Sequence, residues 1–194
     1  MTLSLRHFLL VGLGNPGQEY EHTRHNVGFL ALDQLQKDWQ TDEFKENKKL
    51  NAFVSNYQLS TVNCKLCKPI TFMNLSGKAV RKTLTYYKIN PDSLIVLHDD
   101  IDLPLGQIRI VQNSSDGGHN GVQNIIDKLG TQNFIRVKIG IGPKPHPEMD
   151  AADFVLGKFT KEEQKKLQPI LSQMPDIIKG IITEGVEKAQ NKYN

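Results

Sequence analysis

Cysteine is nearly missing from this chain: Cys64 and Cys67 are the only two in 194 residues. A disulfide framework is thereby excluded, and their C-x-x-C has neither a second pair nor flanking histidines to complete a zinc site. The surrounding segment reads as a strand, where an offset of three sends the two thiols to opposite faces. Both are expected to be inert and structural. Long apolar runs are also lacking, so no segment can cross a bilayer, and the N-terminus has none of the sections of a signal peptide. The expected setting is the cytoplasm, with no membrane partner. Charge of one sign is scarce as well: 24 Lys and Arg face 21 Asp and Glu, a net charge of +3. That balance permits an acidic partner without demanding one.

What is present describes a folded domain. A hydrophobic share of 38% with 23% charged residues excludes a disordered chain, and the length suits one domain over 1–194 with a substantial core. There are no repeats, linkers or low-complexity tracts. Strands are expected at 7–11, 51–57, 62–67, 93–98, 107–111 and 134–140, and helices at 26–39, 75–87, 119–129 and 161–187. Val27, Leu30, Ala31 and Leu35 have the spacing of a buried helical stripe. Thr160 and Glu163 form a capping-box pair, while Pro169 and Pro175 are expected to kink or split the last helix. Alternating strands and helices give an α/β fold. The adjacent strands at 51–57 and 62–67 read as a hairpin, so the expected architecture is a three-layer α/β/α domain with a twisted mixed β-sheet flanked by helices.

The run from Phe8 to Gly17 satisfies the G-x-G-x-x-G fingerprint of dinucleotide sites, yet the residues after it do not suit one. Residues 18–26 are polar and aperiodic, regular helical spacing starts only at Val27, and Asp33 falls inside that helix rather than after a second strand. Asn15 and Pro16 are residues such a fingerprint does not need. In open α/β sheets ligands gather beyond the carboxyl ends of the strands, and several strand ends here carry unusual polar residues. Four loops could converge on one cleft holding Asn15, Asn74, Asn120, His25, His119 and Asp99. Asparagine offers a donor and an acceptor without charge. A histidine beside an aspartate is a general base whose tautomer the carboxylate fixes. No convincing serine or cysteine nucleophile accompanies them, so water activated by histidine, with asparagine donors around an oxyanion, is the simplest chemistry.

Each of these residues also has a structural reading. Asn15 before Pro16-Gly17 suits a turn, His25 could cap the helix from Val27, and Asn74 could cap the next one. Asp99, Asp100 and Asp102 could bind a divalent cation or line a solvated turn, although no His or Glu spacing supports a metal. Lys78, Arg81 and Lys82 gather on one side of a helix that faces either solvent or phosphates.

The order and wording of these motifs resemble the bacterial-type peptidyl-tRNA hydrolase family. The resemblance rests on Val11 to Gly17, Tyr20, Thr23 to Gly28, Lys68-Pro69, Thr71 to Gly77, His98-Asp99, Asp102 to Pro104, Gly117 to Gly121, Gly140 to Gly142 and Phe154 to Phe159. It spans about residues 7–160. It implies hydrolysis of the ester joining a peptide to the terminal ribose of tRNA, which recycles tRNA for translation, by a monomeric cytoplasmic enzyme without metal, cofactor or obligate protein partner. It makes His25 the general base, Asp99 the group that holds its basic form, and Asn15 a discriminator of blocked from free aminoacyl-tRNA. Tyr20, Phe72, Asn74 and Asn120 become substrate contacts, and Lys78, Arg81, Arg136 and Lys138 candidate phosphate contacts. Lys138 matches a basic position of the family, whereas a second basic position is Val111 here. Two other readings remain: a noncatalytic RNA-binding module of the same fold, and a nucleotide-binding oxidoreductase.

Overall fold

The computed structural model describes residues 6–59 and 61–194. Among the described residues seven strands form one sheet: β1 Arg6–Gly12, β2 Lys45–Asn47, β3 Ala52–Leu59, β4 Val62–Pro69, β5 Leu94–Pro104, β6 Ile108–Gln112 and β7 Ile135–Gly142. Their order is β2-β3-β4-β1-β5-β7-β6. The central pairs β4-β1, β1-β5 and β5-β7 are parallel, while β2-β3, β3-β4 and β7-β6 are antiparallel. The sheet is therefore mixed, with the hairpin where the sequence put it. The short strand β2 was not anticipated, because Lys45–Asn47 has no apolar alternation and lies at the sheet edge.

Helices α1 Val27–Trp39, α2 Ser76–Tyr87, α3 Asn120–Leu129, α4 Ala151–Leu156, α5 Lys161–Glu184 and α6 Val186–Tyr193 complete the fold. Along β1 successive side chains alternate between two buried faces. Phe8 and Leu10 join one core with the apolar stripes of α1 and α5, and Leu9 and Val11 join a second with α2 and α3. Cys64 and Cys67 divide between the same two cores, and burial pushes both thiols up to about 12.

Helix α5 corrects the expectation of a split. It runs unbroken through Pro169 and Pro175 and ends only at Gly185. Each proline forfeits one backbone donor, but Leu167, Leu171, Met174, Ile177, Ile178 and Ile181 keep a buried stripe on both sides of them. Packing of that stripe outweighs the local loss. Gly185, at φ 92°, then permits the turn into α6.

At the carboxyl end of β1 the glycines permit close packing rather than phosphate access. A Cβ on Gly28 would lie 2.3 Å from the Leu97 carbonyl oxygen, and one on Gly12 would lie 2.3 Å from that of Gly28. Helix α1 thus sits directly against β1 and β5, which brings the preceding residues 24–26 to the strand ends.

Candidate active site

A cleft of about 340 Å³ opens at these strand ends, and all six residues expected to converge line it: Asn15, His25, Asn74, Asp99, His119 and Asn120. Phe72, 57% exposed, stands at its wall. Opposite, Ala151, Ala152, Val155 and Leu156 of α4 close the other side. No serine or cysteine lines it among the described residues.

His25 sits on a short 3-10 turn, Arg24–Asn26, that leads into α1. Its Nδ1 lies 2.9 and 3.0 Å from the two oxygens of Asp99, and His119 Nε2 lies 2.9 Å from Asp99 Oδ1. The tautomer of His119 follows from its other nitrogen. Nδ1 accepts from the backbone N–H of Gly121 and Val122, capping α3, so Nε2 must carry the proton that Asp99 accepts. An ionised Asp99 likewise requires N–H at His25 Nδ1. That leaves an unprotonated lone pair on His25 Nε2, which has no protein partner among the described residues.

The carboxylate is well suited to this duty. Burial alone would raise the Asp99 pKa, but the N–H dipoles that His119 and His25 turn toward it, and the hydrogen bonds they donate, hold it far below the usual carboxylate range. His98 packs edge-on to His119, at 4.7 Å between rings, and its Nδ1 donates to the Asp99 carbonyl. Its Nε2 is buried with no acceptor nearby among the described residues. A proton there would be unpaired, and burial, with His119 packed beside it, keeps the His98 pKa well below its ordinary value.

The asparagines are held by the backbone. Asn15 N–H donates to Asn26 Oδ1 at 2.8 Å, and Asn26 Nδ2 returns a bond to the Asn15 carbonyl at 2.9 Å. Asn15 Oδ1 accepts from Met73 N–H at 2.8 Å, which leaves its Nδ2 donors to serve the cleft. Asn26, which sequence reasoning passed over, is therefore the clasp for Asn15. Neither Asn26 nor Asn74 makes a side-chain helix cap. His119 does so instead, and its signal was visible: it directly precedes the periodic run of α3.

Other expected residues separate. Tyr20 is half-buried on the turn before the 3-10 segment and does not line the cleft. Arg136 is fully buried, and its guanidinium donates to the carbonyls of Ser114 and Ser115. Its charge supports that loop, out of reach of a phosphate, which corrects the expectation of a contact there. Lys138 pairs with Asp100, whose Oδ1 also accepts from the N–H groups of Asp102 and Leu103. The three aspartates therefore do not form a cluster. His25, Asp99 and His119 alone offer three metal-ligating atoms within 4.8 Å of one another among the described residues, a spacing that their own hydrogen bonds explain. Lys78 and Arg81 lie on α2, outside the cleft.

Arg24 was not singled out by its chemistry, and the structure gives it a support role. It binds both carboxylate oxygens of Glu163 at 2.8 and 2.9 Å and stacks over Phe154 at 4.5 Å. The turn bearing His25 is thus tied to α4 and to the start of α5.

A buried carboxylate that fixes a histidine tautomer, next to carboxamide donors and without a side-chain nucleophile, defines a hydrolase in which water attacks. Comparison with known proteins narrows the class. The family described as peptidyl-tRNA hydrolase matches residues 9–194. The peptidyl-tRNA hydrolase of Thermodesulfovibrio yellowstonii is 48% identical, over 96% of this chain and 98% of the relative. That of Clostridium tetani is 43% identical, over 96% and 97%. A crystal structure of peptidyl-tRNA hydrolase from Acinetobacter baumannii superposes with a TM-score of 0.89 at 32% identity, covering 99% of this chain and 96% of the other. The chain belongs to the peptidyl-tRNA hydrolase family. Its activity is hydrolysis of the ester between peptide and tRNA.

Proposed function

We propose that His25 is the general base of this ester hydrolysis and that Asp99 holds it in the basic tautomer. The observation that carries the reading is the double use of Asp99 by His25 Nδ1 and His119 Nε2, which leaves His25 Nε2 free. A water in the cleft gives its proton to Nε2 as its oxygen adds to the ester carbonyl. Asp99 stabilises the imidazolium, and donors from Asn15, Asn74 and Asn120 stabilise the oxyanion. The C–O bond to the ribose then breaks, and the imidazolium proton passes to the departing ribose oxygen. The products are a peptide carboxylate and free tRNA.

Asn15 discriminates between substrates. Its Nδ2 donors suit the carbonyl of a blocked, neutral amide and repel the ammonium of a free aminoacyl ester. Phe72 supplies an apolar wall to the peptide, and Tyr20 contacts it from the neighbouring turn. Lys138 serves phosphate at the cleft edge by exchanging its bond to Asp100. The enzyme acts as a cytoplasmic monomer formed by one domain, 1–194, a reading supported by two cores that share one sheet and by the absence, among the described residues, of a helix long and apolar enough to cross a membrane. It needs no metal or cofactor, since its own base activates water.

The test measures cleavage of N-acetylaminoacyl-tRNA and its unblocked counterpart, with and without chelator. Retention of activity in chelator and a marked preference for the blocked ester are expected. Activity that is lost in chelator and restored by a divalent ion would overturn the metal-free reading.

A further inference from the structure

The two cations expected near the cleft are engaged internally, Arg136 with carbonyls and Lys138 with Asp100. A polyanionic substrate needs contacts beyond the one that Lys138 can release. Outside the cleft, a basic groove of about 780 Å³ runs along α2. Lys78, Arg81 and Lys82 supply one wall, at the spacing of a single helix face. Lys49, from the turn before β3, and Lys128, near the end of α3, supply the other. No carboxylate lines the groove, and none of these five cations forms an ion pair among the described residues. In a chain of net charge +3 this is a marked segregation of sign. A solvated helix face would ordinarily interleave acids with its bases.

Two further features point to nucleic acid rather than an acidic protein. Tyr86 in the groove is 59% exposed and braced edge-on by Tyr87, with ring centroids 4.9 Å apart at 89°. Cations beside a presented, oriented aromatic face make the arrangement that binds a single strand through its backbone and stacks a base. The groove also begins next to the cleft along the chain. Met73 and Asn74 line the cleft, and Leu75, the next residue, lines the groove.

We propose that the α2 groove is the track for the tRNA strand leading away from the ester, with the five cations against its phosphates and Tyr86 stacked on a base near the far end. The proposal rests on the esterase reading of the cleft. From Ser76 to Tyr86 the helix advances roughly 15 Å at 1.5 Å per residue, so contacts along it extend beyond a terminal nucleotide.

The test compares N-acetylaminoacyl-tRNA with N-acetylaminoacyl-adenosine, which has the same ester and no phosphate chain. Both are assayed over a salt series with the wild type and with K82E/K128E. For the variant, KM for the tRNA ester is expected to rise about tenfold at low salt, with little change in kcat. The slope of log KM against log salt should become shallower by about 1.5, since each lost phosphate contact removes roughly 0.7–0.9. Cleavage of the adenosine ester should not respond. Tyr86→Ala should raise KM for the tRNA ester about fivefold or more, and Tyr86→Phe should behave as wild type. An unchanged KM and slope in K82E/K128E overturns the proposal and leaves the groove to an acidic protein. Equal losses on both esters also overturn it, because the effect would then lie in the cleft. Wild-type protein that cleaves neither ester would instead sink the esterase reading itself.

Discussion

The cleft and the α2 groove hold their polar groups in opposite ways. In the cleft, His25, Asp99 and His119 are buried, and their protons are assigned by mutual hydrogen bonds and by the start of α3. In the groove, Lys78, Arg81 and Lys128 are exposed and without ion-pair partners among the described residues. The first arrangement sacrifices solvation for a defined lone pair at one atom. The second keeps solvation and adaptability, and gains affinity only as counterions leave a polyanion. Chemistry therefore belongs to the region with fixed geometry and little free charge, and capture of substrate to the region with free charge and little fixed geometry.

Substitutions in the two regions should accordingly fail in different parameters. His25→Ala is expected to have the largest effect, lowering kcat by ~10²–10⁴ through loss of the base while the protein remains folded. Near-normal turnover by this variant would end the assignment. Asp99→Asn is expected to cost on the order of 10² or more in kcat, because an amide donor facing His25 Nδ1 forces the proton onto Nε2 and blocks the base. If only KM rose, the cleft would be behaving like the groove, and the contrast between them would break. Asn15→Asp should act more narrowly. It keeps an oxygen for Met73 N–H but replaces the free donor by a negative acceptor, so the kcat/KM preference for blocked over free aminoacyl-tRNA should fall about tenfold. A preserved preference would move discrimination to Asn74 or Asn120.

Much of this contrast was legible in the sequence, and the exceptions have physical reasons. Period and turn residues located six of seven strands, and the polar residues after strand ends identified the six side chains of the cleft, because strand direction brings those loops to one edge of the sheet. Hydrogen bonds across distant segments were not legible. Nothing local marks Asn26 as the clasp of Asn15, or His119 as the partner of Asp99, since both bonds join segments that only the fold brings together. Burial of charge was equally invisible. Arg136 alternates with Ile135 and Val137 as a residue of a polar face would, yet its side chain is buried and bonds to the carbonyls of Ser114 and Ser115. Pro169 and Pro175 misled for a related reason, because a stop signal is local and the apolar stripe that overrides it is tertiary.

The smallest expected effect concerns stability against pH, where the cleft alone carries buried titrating groups. His98 stays neutral in the fold because burial, with His119 packed beside it, lowers its pKa from the ordinary 6.5. Unfolded, it takes up a proton as pH drops below about 6.5, so the unfolded state binds more protons there and the fold loses stability, by at most about 1.4 kcal/mol per pH unit. Asp99 adds a second, separate loss. Its folded pKa lies below the ordinary 3.8, so its stabilising contribution is complete above that value and declines as pH falls further. The thermal midpoint should therefore begin to fall near pH 6.5 and fall more steeply below about pH 4. His98→Asn, which retains a donor for the Asp99 carbonyl, should flatten the upper arm and leave the lower one. A midpoint flat from pH 7 to 5 in the wild type would mean that His98 accepts its second proton within the fold, and the cleft would then not keep its histidines apart in protonation state as its hydrogen bonds require.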